Sequence, residues 1–228
     1  MTTVATTRDE LLAIGDDALV AAQRLAQWCS RAPEMEEDVA LANIALDQLG
    51  VARLVLSMVD NEDTLAFQRD DREFRNCLLV ELPNEDFAVT IAKLLFLSAF
   101  QLHRYVALST GHGQLADIAA KARKESAYHV DHATLWTIRL GDGTQESHRR
   151  MQDAVDELWP YTHELFVGND LRATWLSTVE PALATATLQR PADGWAPSGG
   201  RAGLHTEHLS YLLAEMQVLH RAHPGARW

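Results

Sequence analysis

The chain has 228 residues, of which 47% are apolar, 23% charged and 7% aromatic, enough to bury one sizeable core and too apolar for a disordered chain. Asp and Glu number 32 against 20 Lys and Arg, and the resulting net charge of −12 repels phosphate backbones, so nucleic acid is not an expected partner. No uninterrupted apolar run approaches the roughly 18–20 residues that span a bilayer, the longest being Leu94 to Phe100 between Lys93 and Gln101.

Residues 1–7 lack the basic and apolar regions of a signal peptide, and with no spanning run the expectation is a cytoplasmic chain with no membrane partner. Cys29 and Cys77 form neither a disulfide framework nor a CxxC motif, and both read as small core residues in helices. Thr7-x-x-Glu10 is a capping box ahead of a helix over 11–30, where Leu12, Leu19, Leu25 and Trp28 recur at helical spacing. Pro33 interrupts it, and a second helix follows over about 34–59 with Val39, Ala42, Leu46, Leu49 and Leu56 on its apolar face. Residues 60–83 are polar and irregular and read as a crossover. Asn84, Glu85 and Asp86 open a third helix to about 109, and a fourth runs over about 114–140 to the turn signal Gly141-Asp-Gly143. Shorter helices follow over about 146–166 and 170–188, bent or ended by Pro160 and Pro181. A loop-like stretch covers 189–203, and a last helix covers about 205–221.

Two long helices, a crossover and two more long helices give the order of an all-α four-helix bundle with one long crossover and additional C-terminal helices. One domain over 1–228 is expected, with the core bundle over about 8–140 and extra helices over about 146–222. Such bundles can carry a di-iron carboxylate centre, built from one carboxylate on each of two helices and a Glu-x-x-His on each of the other two, since i and i+3 share a helix side. Asp16, Asp47 and Glu125 are carboxylates on otherwise apolar helix faces, and the analogous place on the third helix is taken by Lys93, one of three lysines in the chain. Their intervals of 31, 46 and 32 residues resemble the ligand spacing of ferritin-like bundles.

The imidazoles are missing: no Asp or Glu has His three residues later, Asp47 being followed at that distance by Gly50 and Glu125 by Tyr128. A lysine at a ligand position puts a cation where a metal would sit, and it stays charged by pairing with the acids around it. The expected state is therefore a degenerate pseudo-site of Asp16, Asp47, Lys93 and Glu125, with no metal and no catalytic residue. The alternatives are a working metal site with unusual ligands and four unconnected, partly solvated residues. Glu125, His129 and His132 on the fourth helix offer a weaker, single-metal possibility, against the common case of hydrogen-bonded histidines. The stretch Ser198-Gly-Gly-Arg-Ala-Gly203 is expected first as a docking segment for a partner, with a plain mobile loop before a capped helix, or an anion site of its backbone amides and Arg201, as the alternatives; His205, Glu207 and His208 on the last helix are candidates for a partner interface or its support. Trp175, Trp195 and Trp228 in the last third suit a protein-contact surface, the alternative being that they pack the extra helices onto the bundle.

The motifs Arg24-Leu-x-x-Trp28, Ala32-Pro-Glu34, Asp38-x-Ala-Leu-Ala-Asn-Ile44 with Asp47-x-x-Gly50, Asp63-Thr-Leu-Ala-Phe67, Leu79-Val-Glu81-x-Pro83-Asn84, Lys124-Glu-x-x-Tyr-His129 and Gly203-Leu-His-Thr-Glu-His-Leu209 with Ala214-Glu-Met-Gln217 stand in order along nearly the whole chain. Together they closely resemble the C-subunit family of the bacterial ring 1,2-phenylacetyl-CoA epoxidase. The resemblance implies a ferritin-like bundle that has lost its di-iron centre and pairs with a homologous A subunit. In that family the A subunit holds the iron and epoxidises phenylacetyl-CoA with O₂, drawing electrons from NADPH through a flavin and iron–sulfur reductase. The function expected is thus a structural, non-catalytic subunit of a multicomponent monooxygenase in phenylacetate catabolism, with no cofactor of its own. The other two readings are a ferritin-like oxidase in its own right and a free-standing helical binding module.

Overall fold

The computed structural model describes residues 6–226, and among them every regular element is helical. In chain order these are α1 (Arg8–Ala26), α2 (Met35–Leu56), α3 (Glu62–Phe67), α4 (Leu78–Glu81), α5 (Phe87–Leu108), α6 (Gln114–Gly141), α7 (Gln145–Leu158), α8 (Arg172–Thr185) and α9 (Glu207–Ala222), with 3₁₀ turns at Asp71–Glu73, Trp159–Phe166 and Gly200–Ala202. The starts are set by local chemistry. Thr7 and Glu10 close the capping box that opens α1, Asp86 caps α5 through the Val89 amide at 2.9 Å, and a Thr144–Ser147 box opens α7.

The chain divides into two compact units, one of residues up to Pro83 together with those from Ser198 onward, the other Asn84–Pro197. In the first, α1 and α2 pack along each other, α4 packs on α1, and α9 returns to pack on α3 and α4. Gly15 permits the close approach of the long pair, because a Cβ there would fall 2.6 Å from a Leu56 methyl carbon. The crossover expected to be polar and irregular holds two short helices and a buried run that includes Phe74, Cys77, Leu79 and Val80. Cys77 is a core residue as expected. Cys29 is not: it sits exposed in the turn after α1, where the chain leaves the helix four residues earlier than its apolar spacing suggested.

The larger correction concerns α2. Its expected core face was Val39, Ala42, Leu46, Leu49 and Leu56, but the structure buries Leu41, Ile44, Ala45, Val51, Ala52, Val55 and Leu56 and leaves Val39, Leu46 and Leu49 exposed. The helix is apolar on nearly every side, so a 3.6-residue period selects helix without selecting which face turns inward. By length and composition α2 is also long and apolar enough to cross a membrane, although polar residues interrupt its apolar runs. Its inward side carries two of them, the buried Glu37 and Gln48.

In the second unit α5 and α6 form the long pair, and α7 and α8 pack on α5 and α6. An aromatic cluster of Phe96, Phe100, Trp159, Phe166 and Trp175 fills it, with the Trp175 ring centroid 5.2–5.8 Å from those of Phe96, Trp159 and Phe166. Trp175 is fully buried and donates its indole N–H to the Phe96 carbonyl at 2.9 Å, so it packs a helix onto α5 and forms no contact surface. Trp195 is exposed, as expected of a contact residue, and Trp228 lies outside the described residues.

Candidate functional site

The four residues of the expected pseudo-site differ in surroundings. Asp16 on α1 is fully buried, and Lys93 on α5 is buried, as are its helical neighbours Val89, Phe96, Leu97 and Phe100. Asp47 and Glu125 are only half-buried. For Asp47 this follows from the turned face of α2, which puts Asn43 and Leu54 in solvent. For Glu125 the buried stripe of α6 runs through Ile118, Ala122, Ser126, His129 and Ala133, and Glu125 stands at its edge. There it meets Lys121 at 2.7 Å. Tyr128, three residues on, is 75% exposed.

The cation that answers Asp16 is Arg69, from the crossover. Its guanidinium grips both carboxylate oxygens, one at 3.0 Å, while the Arg75 amide donates to Asp16 Oδ2 at 2.8 Å. Arg69 also stacks 4.1 Å above the Phe74 ring and donates to the Glu73 carbonyl at 3.1 Å. Burial pushes the Asp16 carboxyl above its ordinary value, and the Arg69 guanidinium is the strongest influence pulling it back.

The next residue, Asp17, is buried as well and is held by Arg201 in a fork of 2.8 and 2.7 Å, with the Cys77 amide at 2.8 Å. The guanidinium of Arg201 is committed to Asp17 and to the carbonyls of Ala13 and Arg75, which takes the cation away from the anion-binding alternative. The glycine-rich stretch before α9 is itself seated. Gly203 has φ +78°, and a Cβ there would fall 2.3 Å from the Arg72 carbonyl oxygen.

A third buried carboxylate completes the network. Glu81, at the end of α4, accepts from the Asn76 amide at 2.8 Å and the Thr206 backbone at 2.6 Å, and lies 2.7 Å from His205 Nδ1. The other ring nitrogen of His205 lies 3.1 Å from the Phe74 carbonyl, so the ring bridges a carboxylate and a backbone oxygen. Arg24 on α1 donates through Nε to the Glu81 carbonyl at 3.1 Å and through a terminal nitrogen to the His208 carbonyl at 3.2 Å. Of the three candidates expected on the last helix, only Glu207, exposed, and His208, half-buried, lie on α9; His205 precedes the helix cap Thr206, and its side chain is buried inside the unit.

The arrangement ties α1, the crossover and the segment from Ser198 into one body through Asp16–Arg69, Asp17–Arg201 and Glu81–His205. Asp16 and Asp17 are each matched by a guanidinium and Glu81 by an imidazole, and such pairs fix which segments meet more than they add net stability. Their charges are turned toward one another and toward backbone groups of the same unit. Among the described residues no three His, Cys, Asp or Glu side chains are placed to hold a metal ion, and Glu125, His129 and His132 are no exception. A di-iron centre, which needs four carboxylates and two imidazoles, does not fit the residues present. Arg69, Asp17 and Glu81 do not stand out in the sequence as members of a network, although Asp16-Asp17 inside an apolar helix is a signal: two adjacent acids in a run with buried residues on every side must find cations.

Among the described residues every regular element is helical and the buried charges pair within one unit, which defines the class as an all-α helical-bundle protein. The chain is a member of the phenylacetic acid catabolic protein family, whose model matches residues 2–228. It is 45% identical over 240 aligned positions to the C subunit of the 1,2-phenylacetyl-CoA epoxidase of Escherichia coli, an alignment covering 95% of this chain and 97% of that protein.

Proposed function

We propose that the chain is the structural, non-catalytic subunit of a multicomponent phenylacetyl-CoA monooxygenase acting in phenylacetate catabolism. The end-to-end similarity to the C subunit of an epoxidase supports the assembly, and the ligand positions support the non-catalytic role. The observation that carries the second point is the pair Gly50 and Tyr128, which stand where Glu-x-x-His spacing would supply imidazoles, the one without a side chain and the other turned to solvent. Asp16, Asp47, Lys93 and Glu125 are then residues at former ligand positions: Asp16 now serves Arg69 and Glu125 serves Lys121. In this reading the iron belongs to a homologous catalytic subunit, and NADPH, flavin and iron–sulfur chemistry belong to a reductase. This chain contributes a helical surface for the catalytic subunit to dock on.

Anaerobic loading of the purified chain with ferrous iron tests the non-catalytic role. The expected result is substoichiometric iron after desalting. Two irons per chain, with oxo-bridged absorption on exposure to O₂, would make the chain an oxidase in its own right.

A further inference from the structure

The exposed side of α2 carries a stripe of Met35, Val39, Ala42, Leu46 and Leu49, separated by steps of four and three residues and ending at Arg53. Met35 is 80% exposed, Val39 58%, Leu46 63% and Leu49 38%, and Leu54 beside them 43%. Alternating steps of four and three are the spacing at which one helix seats another along its whole length. Isolated exposed apolar residues are ordinary, but a continuous apolar stripe along most of a 22-residue helix marks a contact surface. A partner can approach closely beside Leu46 and Leu49, because a Cβ added at Gly50 would meet nothing within 4 Å.

The charges bordering the stripe choose the occupant. Glu34 and Glu36 are exposed at its N-terminal end, with Asp38 beside them, and Asp47 flanks its middle. The only base on α2 is Arg53, already 3.5 Å from Glu62. A second copy laid parallel across the stripe would bring these acidic borders together, and one laid antiparallel would set them against a lone Arg53 that already pairs with Glu62, in both cases between two chains of net charge −12, which like-charge repulsion disfavours. The same acids oppose the surface of an anionic membrane.

We propose that the α2 stripe is the seat of a partner helix that carries apolar residues at the same spacing and basic residues along its flanks. This rests on the reading above, which supplies the owner of that helix: the homologous catalytic subunit.

The test is coexpression of the two subunits and measurement of their association by light scattering and titration, with Leu46→Glu, Val39→Glu and, as a control elsewhere in the same unit, Tyr211→Glu, which is also exposed. Leu46→Glu and Val39→Glu should keep the wild-type circular dichroism and melting temperature, because both side chains already face solvent. Each should weaken the complex by roughly thirtyfold or more, while Tyr211→Glu leaves it unchanged. Raising the salt concentration should weaken the wild-type complex. A complex of wild-type affinity with Leu46→Glu would remove the stripe as the seat and leave the subunit assignment standing. Failure of the wild-type chains to associate at all would defeat that assignment and the seat with it. A dimer of this chain alone that Leu46→Glu dissolves, or binding to phosphatidylglycerol or phosphatidylcholine vesicles that Leu46→Glu abolishes, would give the stripe to a second copy or to a membrane and overturn the proposed occupant.

Discussion

Replacing Arg69 by Met isolates the contribution of the buried network. The guanidinium and the carboxylate it grips are both withdrawn from solvent, with 8% and 0% of their side-chain surface accessible. Arg69→Met keeps the apolar stem and leaves Asp16 with one neutral donor, the Arg75 amide. Breaking one side of a buried pair costs about 3–5 kcal/mol, and the surviving amide places this case near the lower end, about 3 kcal/mol. The cost should depend on pH in a definite direction. Burial already holds the folded Asp16 above its ordinary 3.8, and loss of Arg69 raises it further. A folded state that binds a proton more readily than the unfolded chain gains stability as pH falls toward 3.8, so the deficit of Arg69→Met should narrow between neutral pH and about pH 4. Urea unfolding followed by far-ultraviolet circular dichroism at several pH values measures this, and Asp16→Asn/Arg69→Met should recover much of the loss at pH 7 by removing the stranded charge. If Arg69→Met costs under about 0.5 kcal/mol at pH 7, as exposed substitutions do, the pair does not hold the unit together and the reasoning fails.

Two further outcomes follow from the second unit. Trp175→Ala should cost about 3–5 kcal/mol by emptying the aromatic cluster, whereas Trp175→Phe, which removes the indole donor to the Phe96 carbonyl and only part of the ring volume, should cost about 1–2 kcal/mol; equal losses measured by thermal unfolding would contradict this packing. His103, 2.8 Å from the Thr178 hydroxyl, is held below its ordinary value of 6.5 by burial, so its contribution to stability falls as pH drops below 6.5; an imidazole resonance that titrates above 6.5 would refute this.

The helices are legible in the sequence because their signals are local. Thr7 and Glu10 place the start of α1, Asp86 that of α5, and the glycines after Leu140 the end of α6, each through a cap or a turn that a few adjacent residues determine. The inward face of α2 is not legible, since a helix apolar on almost every side leaves its orientation to the neighbours it meets, and Asp47 turns outward with it. The partner of Asp16 lies 53 residues away in a segment that reads as irregular, where neither period nor motif ties Arg69 to it. Lys93 reads as buried from its apolar neighbours on α5, and it is. Arg201 stands out for its charge and its glycines, but a lone cation beside a flexible-looking loop cannot announce a carboxylate on a helix 184 positions earlier.

In the proposed function this chain is required by the reaction without performing it. The most direct test is the rate of phenylacetyl-CoA epoxidation by the homologous iron-bearing subunit and reductase, measured with and without this chain, with iron counted in each component. Turnover is expected only when both subunits are present, with no di-iron centre in this chain. Full turnover by the iron-bearing subunit alone, or di-iron in this chain, would contradict that function.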